Sequence, residues 1–154
     1  MSSSDHSSTP QLSSRPGYVL VRAALRVRQC YADTLAGTGL LPNQHAILST
    51  LHELGPSHQK ELALRVVIDP GDIVSYLDGL QQSQFIVRER DPADRRRQIV
   101  TITKAGRTKL IEADNALDEV EATIFASLTA RDRTFLDKLS ARIYDAAAEV
   151  SAAR

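Results

Sequence analysis

The stretch from Asp91 to Thr103, DPADRRRQIVTIT, decides how the rest of the chain is read. Asp91-Pro92-Ala93-Asp94 is turn chemistry, since Pro presets φ and Asp bonds its own backbone two residues on. Ile99 to Thr103 alternates, with Val100 and Ile102 on one face, and Phe85 to Arg90 before the turn is short and extended. Together they predict a two-stranded wing over about 86–103, with Arg95, Arg96 and Arg97 at its tip. Arginine is the side chain suited to phosphate and to a narrow minor groove, so a nucleic-acid partner is the first candidate.

Upstream of the wing, helical spacing dominates. Asp69-Pro70-Gly71-Asp72 reads as a helix start, with Asp69 as N-cap, Pro70 in the first turn and Asp72 completing a capping box. The helix it opens runs over about 70–83, with Ile73, Val74, Leu77 and Leu80 inward and Asp72, Ser75, Tyr76, Gly79 and Gln82 outward. Gly79 costs such a helix about 1 kcal/mol relative to alanine, so either the helix is weak there or the missing side chain has a use. Ser57 is a good N-cap for a preceding short helix with Leu62, Ala63 and Val66 on one face. Two helices joined by a short turn, the second with a polar outer face, are the layout of a helix-turn-helix.

Two further helices precede these. Val21, Leu25 and Ala32 recur at helical spacing in the first, over Tyr18 to Leu35, and Gly37 and Gly39 end it. Leu41-Pro42-Asn43 opens the second, which carries Ile47, Leu51 and Leu54 and stops at Gly55-Pro56. Beyond the wing, Thr103 caps a long helix with Leu110, Leu117, Val120 and Ile124. Thr129 with Asp132 caps another, with Leu136, Leu139, Ile143 and Val150. These long helices have apolar stripes left over once a small winged domain is covered, and a second copy of the chain is the simplest partner for them. Residues 1–14 are mostly serine and are expected to be a disordered tail.

Charge is distributed unevenly. The formal net charge is zero, from 19 basic and 19 acidic residues, which by itself argues against a nucleic-acid partner. Between Ile86 and Lys109, however, eight basic residues face three acidic ones, and from Glu112 onward nine acids outnumber five bases. One face can therefore meet an anion while another stays acidic. A single cysteine, Cys30, excludes an internal disulfide and any Cys-x-x-Cys pair. With no leader-like segment and no apolar run long enough to span a bilayer, the expectation is a cytoplasmic protein without membrane contact. No Gly-x-Ser-x-Gly elbow, phosphate-binding glycine loop or His-Glu-x-x-His is present, so neither an enzyme nor a cofactor is expected.

The order of elements and the run RERDPADRRRQIVTITKAG, from Arg88 to Gly106, resemble the MarR (multiple antibiotic resistance regulator) family of winged helix-turn-helix regulators. Leu41-Pro42-Asn43-Gln44 and Glu61-Leu62-Ala63 are similar to the openings of that family's second and third helices. The resemblance implies a mainly α fold with a small β wing, in which 41–103 is the winged helix-turn-helix and 15–40 with 104–154 are dimerisation helices. It implies a homodimeric regulator, most often a repressor, on a pseudo-palindromic double-stranded DNA operator. The helix over 70–83 would lie in the major groove and the wing would reach the minor groove.

Candidate DNA-contacting residues are then Ser57, Gln59 and Lys60 at the third helix, Gly71, Asp72, Ser75 and Tyr76 at the recognition helix, and Arg88, Arg90, Asp94, Arg95, Arg96 and Arg97 in the wing. Arg96 is expected in the groove, Asp94 to accept hydrogen bonds from the arginines beside it, and Arg95 and Arg97 to sit on phosphates or pair with Asp94. Asp72 has an ordinary reading as a first-turn acid on the helix dipole. The recognition helix carries no lysine or arginine, so affinity leans on the wing.

Members of the resembled family respond to small phenolic or anionic ligands, to thiol oxidation or to a metal. Arg22, Arg26, Tyr31, His45 and His52 could line an anion pocket between the dimerisation helices and the winged domain. Cys30, near Arg26 and Arg28, is the redox candidate, against the ordinary reading of a lone cysteine as an inert small hydrophobe. His45 and His52 with Cys30 or Glu112 lack close ligand spacing, and no metal site is expected. The competing function is a winged-helix module that binds protein and has lost DNA affinity.

Overall fold

The structure, a computed structural model, describes residues 11–153. Its elements are α1 (Pro16–Ala36), α2 (Pro42–Leu54), β1 (Ser57–His58), α3 (Gln59–Arg65), α4 (Ile73–Gln82), β2 (Ile86–Arg90), β3 (Gln98–Ile102), α5 (Lys104–Ile124) and α6 (Ala130–Ala152). The expected serine-rich tail lies outside the described residues over 1–10. Its last part differs from expectation, because Leu12–Ser14 form a 3-10 turn in which the Ser14 hydroxyl donates to the Gln11 carbonyl at 2.7 Å.

Two compact units divide the chain after Val120. The first holds a single core, with Leu35, Ile47, Leu48 and Leu51 from α1 and α2, Leu62 and Ala63 from α3, and Ile73, Leu77 and Leu80 from α4. The sheet adds Ile86, Val100 and Ile102, and α5 adds Leu110, Ala113 and Leu117. Burying each leucine or isoleucine contributes about 1.5–3 kcal/mol, so these periodic positions hold the helices on the sheet. Thr103 caps α5 as expected, accepting from the Gly106 N–H at 3.0 Å. In the second unit, Thr129 and Asp132 form the expected capping box at the start of α6. Along α6, Phe135, Leu136, Leu139, Ile143 and Val150 remain 40–60% exposed in the single chain.

Four local expectations are corrected. The sheet has three strands, in the order β1-β3-β2, because Ser57 pairs with Val100 and His58 with Ile99. Ser57 is consequently not the cap of α3: it is buried, its hydroxyl donates to the Gly55 carbonyl at 3.0 Å, and His58 precedes the helix. Asp69 Oδ1 accepts from the Gly71 N–H at 2.8 Å in the turn before the helix, but the N-cap position of α4 is Asp72, which makes no side-chain cap. Residues 70–72 form a turn and the regular helix begins at Ile73. Finally, α4 buries Ile73, Leu77 and Leu80 as expected but differs at the edges of that face. Val74 is 40% exposed, whereas Tyr76 packs against the core and Gly79 faces α2. A Cβ on Gly79 would stand 2.8 Å from Nε2 of Gln44, whose Oε1 accepts the Leu41 N–H at 3.0 Å and so caps α2. The missing side chain lets the start of α2 approach α4.

Candidate nucleic-acid interface

α3 and α4 are joined by a turn in which Ile68 N–H donates to the Ala63 carbonyl at 2.9 Å and Val67 holds φ at 55°. With Ile73, Leu77 and Leu80 directed into the core, the solvent face of α4 is Ser75, Asp78 and Gln82, flanked by Val74 and Gln81. Asp78 and Gln81 were absent from the sequence-based candidates, although spacing from the buried leucines would have found them. Gly71 and Asp72 are exposed, and the Ser75 hydroxyl donates to the Asp72 carbonyl at 2.9 Å.

Arg88 is committed to this face. Its guanidinium donates to Asp78 Oδ1 and Gln81 Oε1, tying β2 to α4 and offsetting the acidic charge of that helix. Arg90 in turn donates to the Arg95 carbonyl at 2.8 Å across the base of the wing tip. The tip itself is set by two aspartates. Asp91 Oδ1 accepts the Ala93 N–H at 2.8 Å, and Asp94 Oδ1 accepts both the Arg96 N–H and Nε–H at 3.1 Å. The Arg96 guanidinium holds the Asp94 carboxyl below the usual carboxylate range, and the Arg96 backbone N–H adds to this.

The expected pairing of Asp94 with Arg95 or Arg97 is therefore corrected, since Arg96 is the partner. Its side chain nevertheless stays 90% exposed, with Nε and Nη2 turned to the two carboxylate oxygens of Asp94 at 3.1 and 3.4 Å. Arg97 turns instead to β1, where its Nη2 lies 3.1 Å from Nδ1 of His58, and Nε2 of the same imidazole lies 2.7 Å from Asp91 Oδ2. His58 was not foreseen, because nothing local in the sequence marks a residue whose partners lie 33 and 39 positions away.

These contacts assemble a cleft of about 740 Å³ in which Gln59 and Lys60 from α3 meet Arg90, Asp94, Arg96 and Arg97 from the wing. Most of the predicted wing and third-helix residues thus share one basic concavity, with Ser57 buried beneath it and Arg95 exposed at the tip. Cations converging from two elements can hold an extended polyanion, and a protruding arginine can enter a groove beside it.

The five candidate effector residues are not brought into one pocket. Arg22 and Arg26 line an open groove along α1 with Val19, Leu25 and Gln29, and Arg22 lies over the Tyr18 ring at 5.8 Å. His45 is 2.7 Å from Asp114 of α5, Tyr31 packs against the core, and His52 is exposed in the last turn of α2. Cys30 is a half-buried free thiol. Glu112, weighed as a metal ligand, pairs with Lys109 at 2.7 Å, and among the described residues no group of three or more His, Cys, Asp or Glu could hold a metal ion. Among them also, no helix is long and apolar enough to cross a membrane.

Comparison with known proteins bears on this geometry. The model of the MarR family matches residues 40–97, the segment from α2 to the wing tip. The uncharacterized HTH-type transcriptional regulator YkoM of Bacillus subtilis is 31% identical over 68 residues, and the match spans 44% of each chain. The HTH-type transcriptional repressor NicR of Pseudomonas putida is 26% identical over 129 residues, 84% of this chain and 82% of that protein. Among solved structures, the transcriptional repressor CouR bound to a 23-mer DNA duplex superposes with a TM-score of 0.81. It is 32% identical over 86% of this chain and 94% of that one. CouR from Rhodococcus jostii RHA1 bound to p-coumaroyl-CoA superposes with a TM-score of 0.75, at 25% identity over 88% and 93% of the two chains.

Proposed function

The chain belongs to the MarR family of winged helix-turn-helix transcriptional regulators, and from that premise we propose that it is a repressor that binds double-stranded DNA as a homodimer in the cytoplasm. The basic cleft between the start of α3 and the wing, with Arg96 projecting from it on the Asp94 anchor, is the observation that carries the reading. α4 enters the major groove with Ser75, Asp78 and Gln82 toward the bases. Gln59 and Lys60 take the phosphates beside it, and Arg96 reaches the adjacent minor groove. Arg88 acts from within, by neutralising Asp78 against the phosphate field.

A two-fold dimer presents two recognition helices about one DNA turn apart, roughly 34 Å, so the operator is a pseudo-palindrome. The exposed apolar stripe of α6 and the apolar positions of α1, Val19, Val21 and Leu25, supply the dimer contacts. The effector is a small anionic or phenolic molecule, a reading supported by the likeness to CouR, and Arg22 and Arg26 are the cations offered to it on α1.

The test is binding of the purified protein to the DNA upstream of its own coding region, titrated across salt. The reading requires sequence-selective binding that weakens steeply with salt and is weaker in Arg96→Ala. Binding to no duplex, together with capture of a protein partner by the same wing, would establish a protein-interaction module instead.

A further inference from the structure

His58 stands between two wing residues of opposite charge. Its Nε2 is 2.7 Å from Asp91 Oδ2 and its Nδ1 is 3.1 Å from Nη2 of Arg97. A guanidinium has only donors, so Nδ1 must be the acceptor, and the geometry belongs to a neutral imidazole with its proton on Nε2. A second proton, on Nδ1, would set donor against donor and cation against cation. Glu61 Oε2, 3.7 Å from Nδ1 on α3, is placed to accept that proton's hydrogen bond once Arg97 has left.

The other charged groups around His58 are Lys60 on α3 and, from the wing, Arg90, Asp94 and Arg96 in the same cleft; β3 offers only Ile99 opposite His58 in the ladder. Asp94 is already held by Arg96, and Arg90 by a backbone carbonyl.

We propose that His58 is a positioning residue whose neutral ring ties Arg97 back to β1, and that proton uptake at Nδ1 releases Arg97 toward a duplex phosphate. DNA affinity therefore rises as the solution is acidified from about pH 8 to about pH 5.5. The inference rests on the DNA-binding reading, and it adds a proton to the signals that set the occupancy of the operator. Two effects act in the same direction: the cleft gains a positive charge, and Arg97 gains freedom to reach the backbone.

The experiment measures the dissociation constant of the full chain for a mixed-sequence duplex of about 30 base pairs against salt at both ends of that pH range. For the wild type, the slope of log affinity against log salt steepens by about two units at the lower pH, one phosphate from each protomer's Arg97, with binding tighter by about three- to tenfold. His58→Gln can still donate and accept but does not titrate, and His45 and His52 remain in it, so its slope is the same at both pH values if the proposal holds. Arg97→Ala must lose most of the steepening, keeping only what the charge on the imidazole itself adds. A wild-type slope that does not change with pH, or a His58→Gln slope that changes as much as the wild type's, overturns the proposal.

A second measurement needs no DNA. The imidazole nitrogen resonances of His58 in the free protein must report the Nε2–H tautomer at high pH, and the Arg97 guanidinium must become more mobile as that ring titrates. An Nδ1–H tautomer, or an Arg97 signal indifferent to the titration, sinks the latch. If no duplex binds at any pH, the reading of the function fails, and the resonances alone then decide whether His58 holds Arg97.

Discussion

The position that a Cβ would occupy on Gly106 lies 2.1 Å from the carbonyl oxygen of Phe85. That oxygen cannot move aside, since it accepts the Thr103 N–H at 2.9 Å where β3 passes into α5. Gly106→Ala is therefore expected to cost about 2–4 kcal/mol, because backbone must shift to admit the methyl group. Gly79→Ala meets only the far end of the Gln44 side chain, and better helix propensity offsets the lost cap on α2. It is expected within about 0.5 kcal/mol of wild type. Urea unfolding at one fixed protein concentration measures both, and equal losses would contradict the distinction between backbone and side-chain obstruction.

Val67 sits in the left-handed region with φ at 55° and is 67% exposed. A β-branched residue there is strained, while little apolar burial would be lost on removing the side chain. Val67→Gly should raise stability by about 0.5–1 kcal/mol, the relief of strain exceeding the extra entropy glycine brings to the unfolded chain. A lower urea midpoint in this variant would show that the turn between α3 and α4 is not the strained element.

Charges at the interface should separate by sign. Arg96→Ala is expected to weaken DNA binding by about 1–2 kcal/mol and to lower the salt slope by about one unit, whereas Asp72→Ala changes affinity by less than about 0.5 kcal/mol. Asp78→Asn removes an anion from the solvent face of α4 and frees Arg88, so it strengthens binding. Arg88→Ala leaves Asp78 without its cation and weakens it. Fluorescence anisotropy on one duplex ranks the four; Asp78→Asn binding more weakly than wild type would exclude α4 from the phosphate field.

Dimerisation through α6 predicts that Leu139→Glu combined with Ile143→Glu yields a monomer in analytical ultracentrifugation, since both side chains are nearly half exposed in the single chain. A double variant that sediments as a dimer would assign the interface to other residues.

Acid should loosen three local structures. Asp91, Asp94 and Asp132 all titrate below the ordinary 3.8, held down first by hydrogen bonds from His58, Arg96 and Thr129 respectively, with backbone N–H groups adding to each. A depressed carboxyl contributes stability that is complete above its unfolded value and is lost as pH falls through its folded value. The urea midpoint should accordingly decline below about pH 4, and Asp132→Asn should start lower at neutral pH but decline less. Thr129→Ala, which removes the other half of the box, is expected to cost about 1 kcal/mol. A midpoint that holds constant to pH 3 would mean that the three carboxylates do not report on folding.

The amino-acid sequence by itself determined much of what depends on near neighbours, though not the caps read at Ser57 and Asp72. Helical periodicity located the buried leucines, Thr129 with Asp132 marked the start of α6, and Asp91-Pro92-Ala93-Asp94 folded the wing that carries the arginines. Such features are legible because their hydrogen bonds and apolar faces close within a few residues. Only the tertiary structure decided what the flanks of α4 meet. Gly79 faces Gln44 of α2, and Tyr76, on the outward side by spacing, packs against the core. The same holds for β1, a two-residue strand too short to show a period, which exists because β3 offers it a ladder. By placing Ser57 in that ladder and His58 between Asp91 and Arg97, the pairing buried one predicted contact and revealed a partner for the wing that no local pattern encodes.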